Sequence, residues 1–269
     1  MIRTDGGRQD IMENGKDIRV TGARHICTIL PHEGVAEGFD VIQGGCTDGR
    51  YIYQCNENQM NDYSHSELHR TRIVKIDPET GERTAVSEPY PLDHSNDMCW
   101  NSLTRELMVV HNGRNAKRIT VFDRDSLRPV RSFEISRNIF ALAHDPVYDR
   151  YAAGVSGGMD VCVYDRDFNE TAYLALGNYG HVTQGIDCDS RYIYAVQTGR
   201  GNIEGDRLYG YLLVFDWEGT PVAHTRIPLP DGETSEKETE NISHIGGRFF
   251  VGYHVRGKGC LHEIFVEGL

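Results

Sequence analysis

The sequence is short of positive charge: 28 Lys and Arg stand against 40 Asp and Glu, a formal net charge of −12 over 269 residues. Such a surface repels phosphate backbones and anionic lipid, and its basic residues are scattered, so no nucleic-acid partner is expected. No run approaches the roughly 18 apolar residues that a membrane span needs. The opening MIRTDGGRQDIMENGKDIRV has no apolar stretch of the kind a secretion signal carries, so a cytoplasmic location and no membrane partner are expected. The seven cysteines form an odd set without a C-x-x-C pair, which predicts buried reduced thiols rather than disulfides. Also missing is any segment with sustained 3.6-residue apolar periodicity, which argues against Rossmann folds and helix-wrapped barrels.

What the chain does have is glycine (29), tyrosine (14) and repetition. QGGCTDGRYIYQCN, from Gln43 to Asn56, returns as QGIDCDSRYIYAVQ, from Gln184 to Gln197. Allowing for loops of different length, the same plan occurs five times: an apolar run, a polar turn, a Tyr- or Val-rich run, a variable loop, a strand ending in Asp, a turn and one more strand. The third strands are IVKID, ITVFD, VCVYD and LLVFD. Four consecutive antiparallel strands per repeat predict an all-β, five-bladed β-propeller with four-stranded blades. The last repeat lacks a fourth strand, and the amino-terminal run RHICTIL (Arg24 to Leu30) is expected to supply it and close the ring. Residues 1–269 are thus read as a single propeller domain, with 1–17 a disordered or loosely packed amino-terminal segment.

The strings TDGRYIY, HSNDMCWN, TQGIDCDSRYIY and ETENISHIGGRFFVGY resemble blade motifs of bacterial five-bladed propeller proteins, from about Gly38 onward. Similarity to gluconolactonase-type propellers implies an axial metal held by Glu, Asn and Asp, here Asn96, Asp97 and Glu240, although Gln43 and Gln184 depart from that pattern. VTQGI (Val182 to Ile186) resembles the FTQGL string of propeller-type glutaminyl cyclases, whose tryptophan-bearing partner motif is absent here. The cofactor expectation that follows is a divalent cation, Ca²⁺ or similar, on the propeller axis.

In a propeller the first strand of each blade lines the axis and the second returns, so starts of first strands and ends of second strands crowd one mouth. The repeat alignment puts Gln43, Asn96 with Asp97, Phe140, Gln184 and Glu240 at first-strand starts. Asn56, His111, Gln197 and His254 fall at second-strand ends, and His94, Asn138, His181 and Glu238 on the entering loops. Burying such polar groups unpaired costs about 1–3 kcal/mol each, so water or a ligand should pair them.

HSNDM offers His94 as a proton shuttle with Asp97 or Glu240 to orient it or bind a cation; the structural alternative is His94 capping a loop and Asp97 bonding backbone amides. ETE (Glu238 to Glu240) sets two acids on one side of a strand, where they can split their pKa values or share a hard cation. His65 and His69 have ligand spacing for a helix but lie in a polar loop, and Arg200, Arg207, Arg256 and Lys258 could meet an anionic group.

The residues point to an enzyme acting on a small polar or sugar-like metabolite by acid–base or metal-assisted hydrolysis or elimination. His94, Asp97 and Glu240 would carry the chemistry. Gln43, Asn56, Asn96, His111, Asn138, His181, Gln184, Gln197, Glu238 and His254 would hold the substrate. The alternative is a ligand-binding or protein-interaction propeller without turnover, and the expected assembly is a monomer or simple dimer.

Overall fold

The string written twice builds the same hairpin twice. Asp48 Oδ1 accepts the backbone N–H groups of Arg50 and Tyr51, and Asp189 Oδ1 those of Arg191 and Tyr192, closing the turn by side-chain capping. The second carboxylate oxygen takes the buried tyrosine hydroxyl two strand positions on, Tyr53 at 2.9 Å in one copy and Tyr194 at 2.7 Å in the other. A buried tyrosine needs such a partner. The Asp that ends each third strand does related work: Asp77, Asp123, Asp165 and Asp216 each cap the next turn through Oδ1.

A computed structural model describes residues 17–30, 38–39, 41–58, 68–113, 116–155, 160–176, 181–199, 209–228, 237–255 and 258–269. Blade I comprises β2 (Val41–Thr47), β3 (Ile52–Glu57), β4 (Thr71–Ile76) and β5 (Arg83–Val86). Blade II holds β6 (Asp97–Asn101), β7 (Glu106–Val110), β8 (Arg118–Asp123) and β9 (Pro129–Glu134); blade III holds β10 (Ile139–Asp145), β11 (Arg150–Val155), β12 (Asp160–Asp165) and β13 (Glu170–Ala175). Blade IV is β14 (His181–Cys188), β15 (Tyr192–Gly199), β16 (Gly210–Asp216) and β17 (Pro221–Ile227). Blade V is β18 (Lys237–Ile245), β19 (Arg248–Val255) and β20 (Lys258–Glu267), completed by β1 (Arg19–Leu30).

Five all-antiparallel sheets with β2, β6, β10, β14 and β18 packed around the axis make a five-bladed propeller, as the repeats predict. The core is correspondingly divided into five apolar wedges, each between neighbouring blades; one joins Tyr194 and Leu212 of blade IV to Phe249 and Tyr253 of blade V. The closing strand β1 pairs with β20 from Arg19↔Glu267 to Leu30↔Gly259, five residues longer than the expected Arg24 to Leu30. A bulge between Val20 and Gly22 breaks the alternation that would have extended the reading from sequence.

Candidate functional site at the polar mouth of the axis

Four of the five inner strands carry a register shift at the same place: Ile42/Gly45, Ile139/Ala141, Thr183/Gly185 and Thr239/Asn241. The extra residues are Gln43 with Gly44, Phe140, Gln184 and Glu240; in blade II the equivalent Asn96 directly precedes β6. A bulge re-aims one side chain out of the pleat. The next residue inward then packs at the hub. A Cβ on Gly44 would sit 2.1 Å from the Asp97 Cα, and one on Gly185 2.8 Å from the Asn241 Cα, so the glycine after each glutamine lets neighbouring inner strands touch.

The hub is held by polar side chains that are spent on backbone. Asp97 Oδ1 accepts the Met98 amide at 2.9 Å, and its Oδ2 accepts Leu142 and Ile186 amides at 3.2 Å each, tying blades II, III and IV. Burial pushes its carboxyl well above the ordinary range, against the pull of those three amides. Asn96 Nδ2 donates to the carbonyls of Phe140 (2.8 Å) and Gln184 (3.4 Å) while its Oδ1 accepts Asn112 Nδ2. Asn241 Nδ2 donates to the Gln43 carbonyl at 2.6 Å and to Gln54 Oε1 at 3.0 Å. Asp97, read from sequence as a catalytic carboxylate and metal ligand, therefore serves as a three-blade tie, and Asn96 is similarly occupied.

Above this plug lie the groups with chemistry to spare. Glu57, at the end of β3, is fully buried; its Oε2 accepts His94 Nδ1 at 2.8 Å and its Oε1 lies 3.3 Å from His69 Nδ1. A carboxylate only accepts, so Nδ1 carries the His94 proton. A left-handed turn at Asp93 (φ 59°) leads into His94, whose carbonyl accepts the amides of Asn96 and Asn112. His69 is placed by Asn58, which pairs with Arg70 through backbone and side chain and so docks the residues before β4 onto the end of β3.

Glu240, 4% exposed, stands at the β18 bulge; no donor among the described residues bonds its carboxyl. Burial, then the carboxylates of Glu238 and Glu57, push its pKa well above the usual range. Gln184 Nε2 donates to Glu238 Oε1 at 3.0 Å.

Several other residues expected at the mouth are engaged within a blade or on a seam between blades. His111 bonds Thr120 Oγ1 at 2.9 Å inside blade II, and burial lowers its pKa to about 4. Gln197 bridges Thr183 Oγ1 and His224 Nε2 within blade IV, where His181 stacks on Tyr211. His254 Nε2 lies 2.8 Å from the Ile42 amide, on the seam between blades V and I. Asn138 is exposed on the approach to β10. The Asn56 amide is fully buried with no hydrogen-bond partner among the described residues. His65, Arg200, Arg207 and Arg256 fall outside the described residues. Glu57 and the role of His69 escaped sequence reading; the signal available was that Glu57 follows Asn56 and that His69 stands two residues before a strand.

The opposite end of the axis holds a cavity of about 310 Å³ lined by Cys46, Cys99, Cys188 and a second acid–imidazole pair, Asp187 and His244. Here the carboxylate also serves the backbone: Asp187 Oδ2 accepts both the His244 amide (2.7 Å) and its Nδ1 (2.8 Å), and Oδ1 accepts the Cys188 amide. Burial drives the three thiols well above their usual pKa, which leaves them poor nucleophiles. Gly154 to Gly158 (GVSGG) spells G-x-S-x-G, but Gly154 and Val155 end strand β11, the next described element is strand β12, and Ser156 lies outside the described residues. The strand-to-helix elbow that gives this motif its meaning has no counterpart among the described elements.

No protein-family profile and no curated protein matches the sequence. Among solved structures, the chain is similar to the glutaminyl cyclase of Myxococcus xanthus, with a TM-score of 0.60 and 14% identity over 94% of this chain and 99% of that one. It is also similar to regucalcin of Agrobacterium tumefaciens, described as a calcium-binding protein, with a TM-score of 0.55 and 10% identity over 93% and 96% of the two chains. The likeness is one of fold.

Proposed function

We propose that the protein is an enzyme performing acid–base chemistry on a small polar or sugar-like substrate at the Glu240 mouth. One observation carries the reading: Glu240 is a buried carboxyl whose pKa burial and the neighbouring Glu238 and Glu57 raise, and that same Glu57 is hydrogen-bonded to the His94 imidazole. Glu240 is the general acid, and the His94–Glu57 pair is the proton acceptor, because an imidazole protonated at Nδ1 is basic at Nε2. Gln43 and Gln184 supply amides for the hydroxyl or carbonyl groups of the substrate. The chemistry is hydrolysis or elimination. That a propeller of similar fold bears the name glutaminyl cyclase is a precedent for chemistry on such a scaffold.

A non-catalytic binding pocket is the second reading, favoured by the way Asp97 and Asn96 are spent on hydrogen bonds within the hub. The test is a turnover screen over lactones, sugar acids and glutaminyl peptides, read by mass spectrometry. The expected result is turnover lowered by about 10²–10⁴-fold in Glu240→Gln with ligand affinity kept. Saturable binding without turnover would move the assignment to the second reading, and full activity in both Glu240→Gln and His94→Asn would sink the first.

A further inference from the structure

The calcium-type axial site does not fit this chain. Calcium takes a shell of roughly six to eight oxygens. Asp97 has given both carboxylate oxygens to backbone amides and Asn96 its carbonyl oxygen to Asn112, so of the three axial residues only Glu240 keeps its oxygens. A different donor set stands beside it. We propose that Glu57, His69 and His94 form a binding site for a borderline divalent transition-metal cation of the Zn²⁺ class, and not for Ca²⁺.

The three residues come from separate points of the chain, the end of β3, the approach to β4 and the approach to β6. One ligand atom from each lies within 4.8 Å of the others, and all three residues are buried. Metal–ligand bonds of about 2.1 Å set tetrahedral ligand atoms about 3.4 Å apart. The separation of 3.3 Å between His69 Nδ1 and Glu57 Oε1 is close to that spacing, and the 2.8 Å hydrogen bond from His94 Nδ1 to Glu57 Oε2 marks a proton that a cation bound there would displace from Nδ1. Two imidazoles and one carboxylate suit zinc and its first-row neighbours, and three protein ligands leave a coordination position open.

The placement of the ligands is built in. Asn58 locks Arg70, next to His69, and the amides of Asn96 and Asn112 lock the His94 carbonyl. Glu238, close enough to Glu240 to raise its pKa, adds negative potential that favours a cation. The proposal concerns the same mouth as the acid–base reading but does not rest on turnover, since its readouts are stoichiometry, stability and a spectrum. Bound there, the cation would supply Lewis acidity and a more acidic water.

The experiment strips the full-length protein with a chelator and titrates Zn²⁺, Co²⁺ and Ca²⁺ separately by calorimetry and thermal unfolding. One equivalent of Zn²⁺ or Co²⁺ is expected to bind and raise Tm, with no response to Ca²⁺. Glu57→Gln and His69→Asn should each weaken Zn²⁺ binding by about 100-fold or more. The Co²⁺ protein should show visible d–d bands without thiolate charge transfer. Thiolate bands, which would place the ion on a cysteine, overturn the proposal. So do equal responses to Ca²⁺ and Zn²⁺, unchanged stoichiometry in folded Glu57→Gln protein, or no binding by the wild type. The wild-type Co²⁺ spectrum decides the matter even where a variant fails to fold. Metal binding with no substrate found would leave this site standing and the catalytic reading without support, and metal-independent turnover would do the reverse.

Discussion

Asp97 at the hub and Glu240 at the mouth are both buried acids whose carboxyls are driven upward by burial, yet the structure uses them in opposite ways. Asp97 satisfies three amides from three blades; Glu240 satisfies none among the described residues. A raised pKa therefore does not identify a reacting group by itself. What separates a structural carboxyl from an available one is how much of its hydrogen-bonding capacity the backbone has already taken. The two acid–imidazole pairs repeat the lesson, since Asp187 serves two amides besides His244 whereas Glu57 faces imidazoles.

That contrast can be broken most forcefully at the hub. Asp97→Ala strands three amide donors, and at about 1–3 kcal/mol per lost partner it should cost several kcal/mol in denaturant unfolding. A loss below about 0.5 kcal/mol would remove Asp97 from the tie.

Glu240→Gln should behave the other way. Turnover is expected to fall by about 10²–10⁴-fold, as for loss of a general acid. Stability should rise above neutral pH, because a folded pKa raised over the unfolded value contributes stability that is complete below about 4.5 and lost as pH rises through the folded pKa. Urea melts of wild type and Glu240→Gln at neutral and mildly alkaline pH read the difference directly; a less stable variant would contradict the assignment.

The histidines folded into blade interiors give a smaller effect. His111 and His224 have pKa values lowered to about 4 by burial, so the unfolded chain takes up their protons first. Stability should be complete above about 6.5 and fall as pH drops towards 4, by about 1–3 kcal/mol per group. His111→Gln should flatten that profile; an unchanged slope would mean that other groups set it.

The smallest effect is expected at the far end. His244 has its pKa raised through Asp187, which overcomes the opposing desolvation, so its contribution is present below about 6.5 and fades as pH rises through the folded value. Asp187→Asn should erase this dependence at a cost of about 1–2 kcal/mol in melts and leave turnover at the mouth intact. Loss of turnover would relocate the chemistry to the 310 Å³ cavity.

The wheel was legible because it is written in repeats: capped hairpins, Asp-terminated third strands and an orphan last blade dictate the ring and its closing strand. The convergence of Gln43, Asn96, Gln184 and Glu240 was legible for the same reason. The fate of Asp97 was legible only as one of two alternatives, catalysis or the bonding of backbone amides, because the amides that decide for the second lie 45 and 89 residues further along the chain. Glu57 was missed by one residue at a strand end, where a single step turns a side chain to the other face of the sheet. His69 lies against an acid across a strand end, and loop geometry of that kind leaves no periodic trace.

The strand that completes blade V is the earliest segment of the wheel to be synthesised, and its partner β20 is the latest. During translation β1 must remain an unsatisfied edge until β20 has left the ribosome, which makes it the segment through which two nascent copies would exchange arms. Joining residues near Arg19 and Glu267 by a short linker and opening the chain between blades II and III, at the exposed Ser136 and Arg137, would relieve that wait while keeping every blade contiguous in the chain.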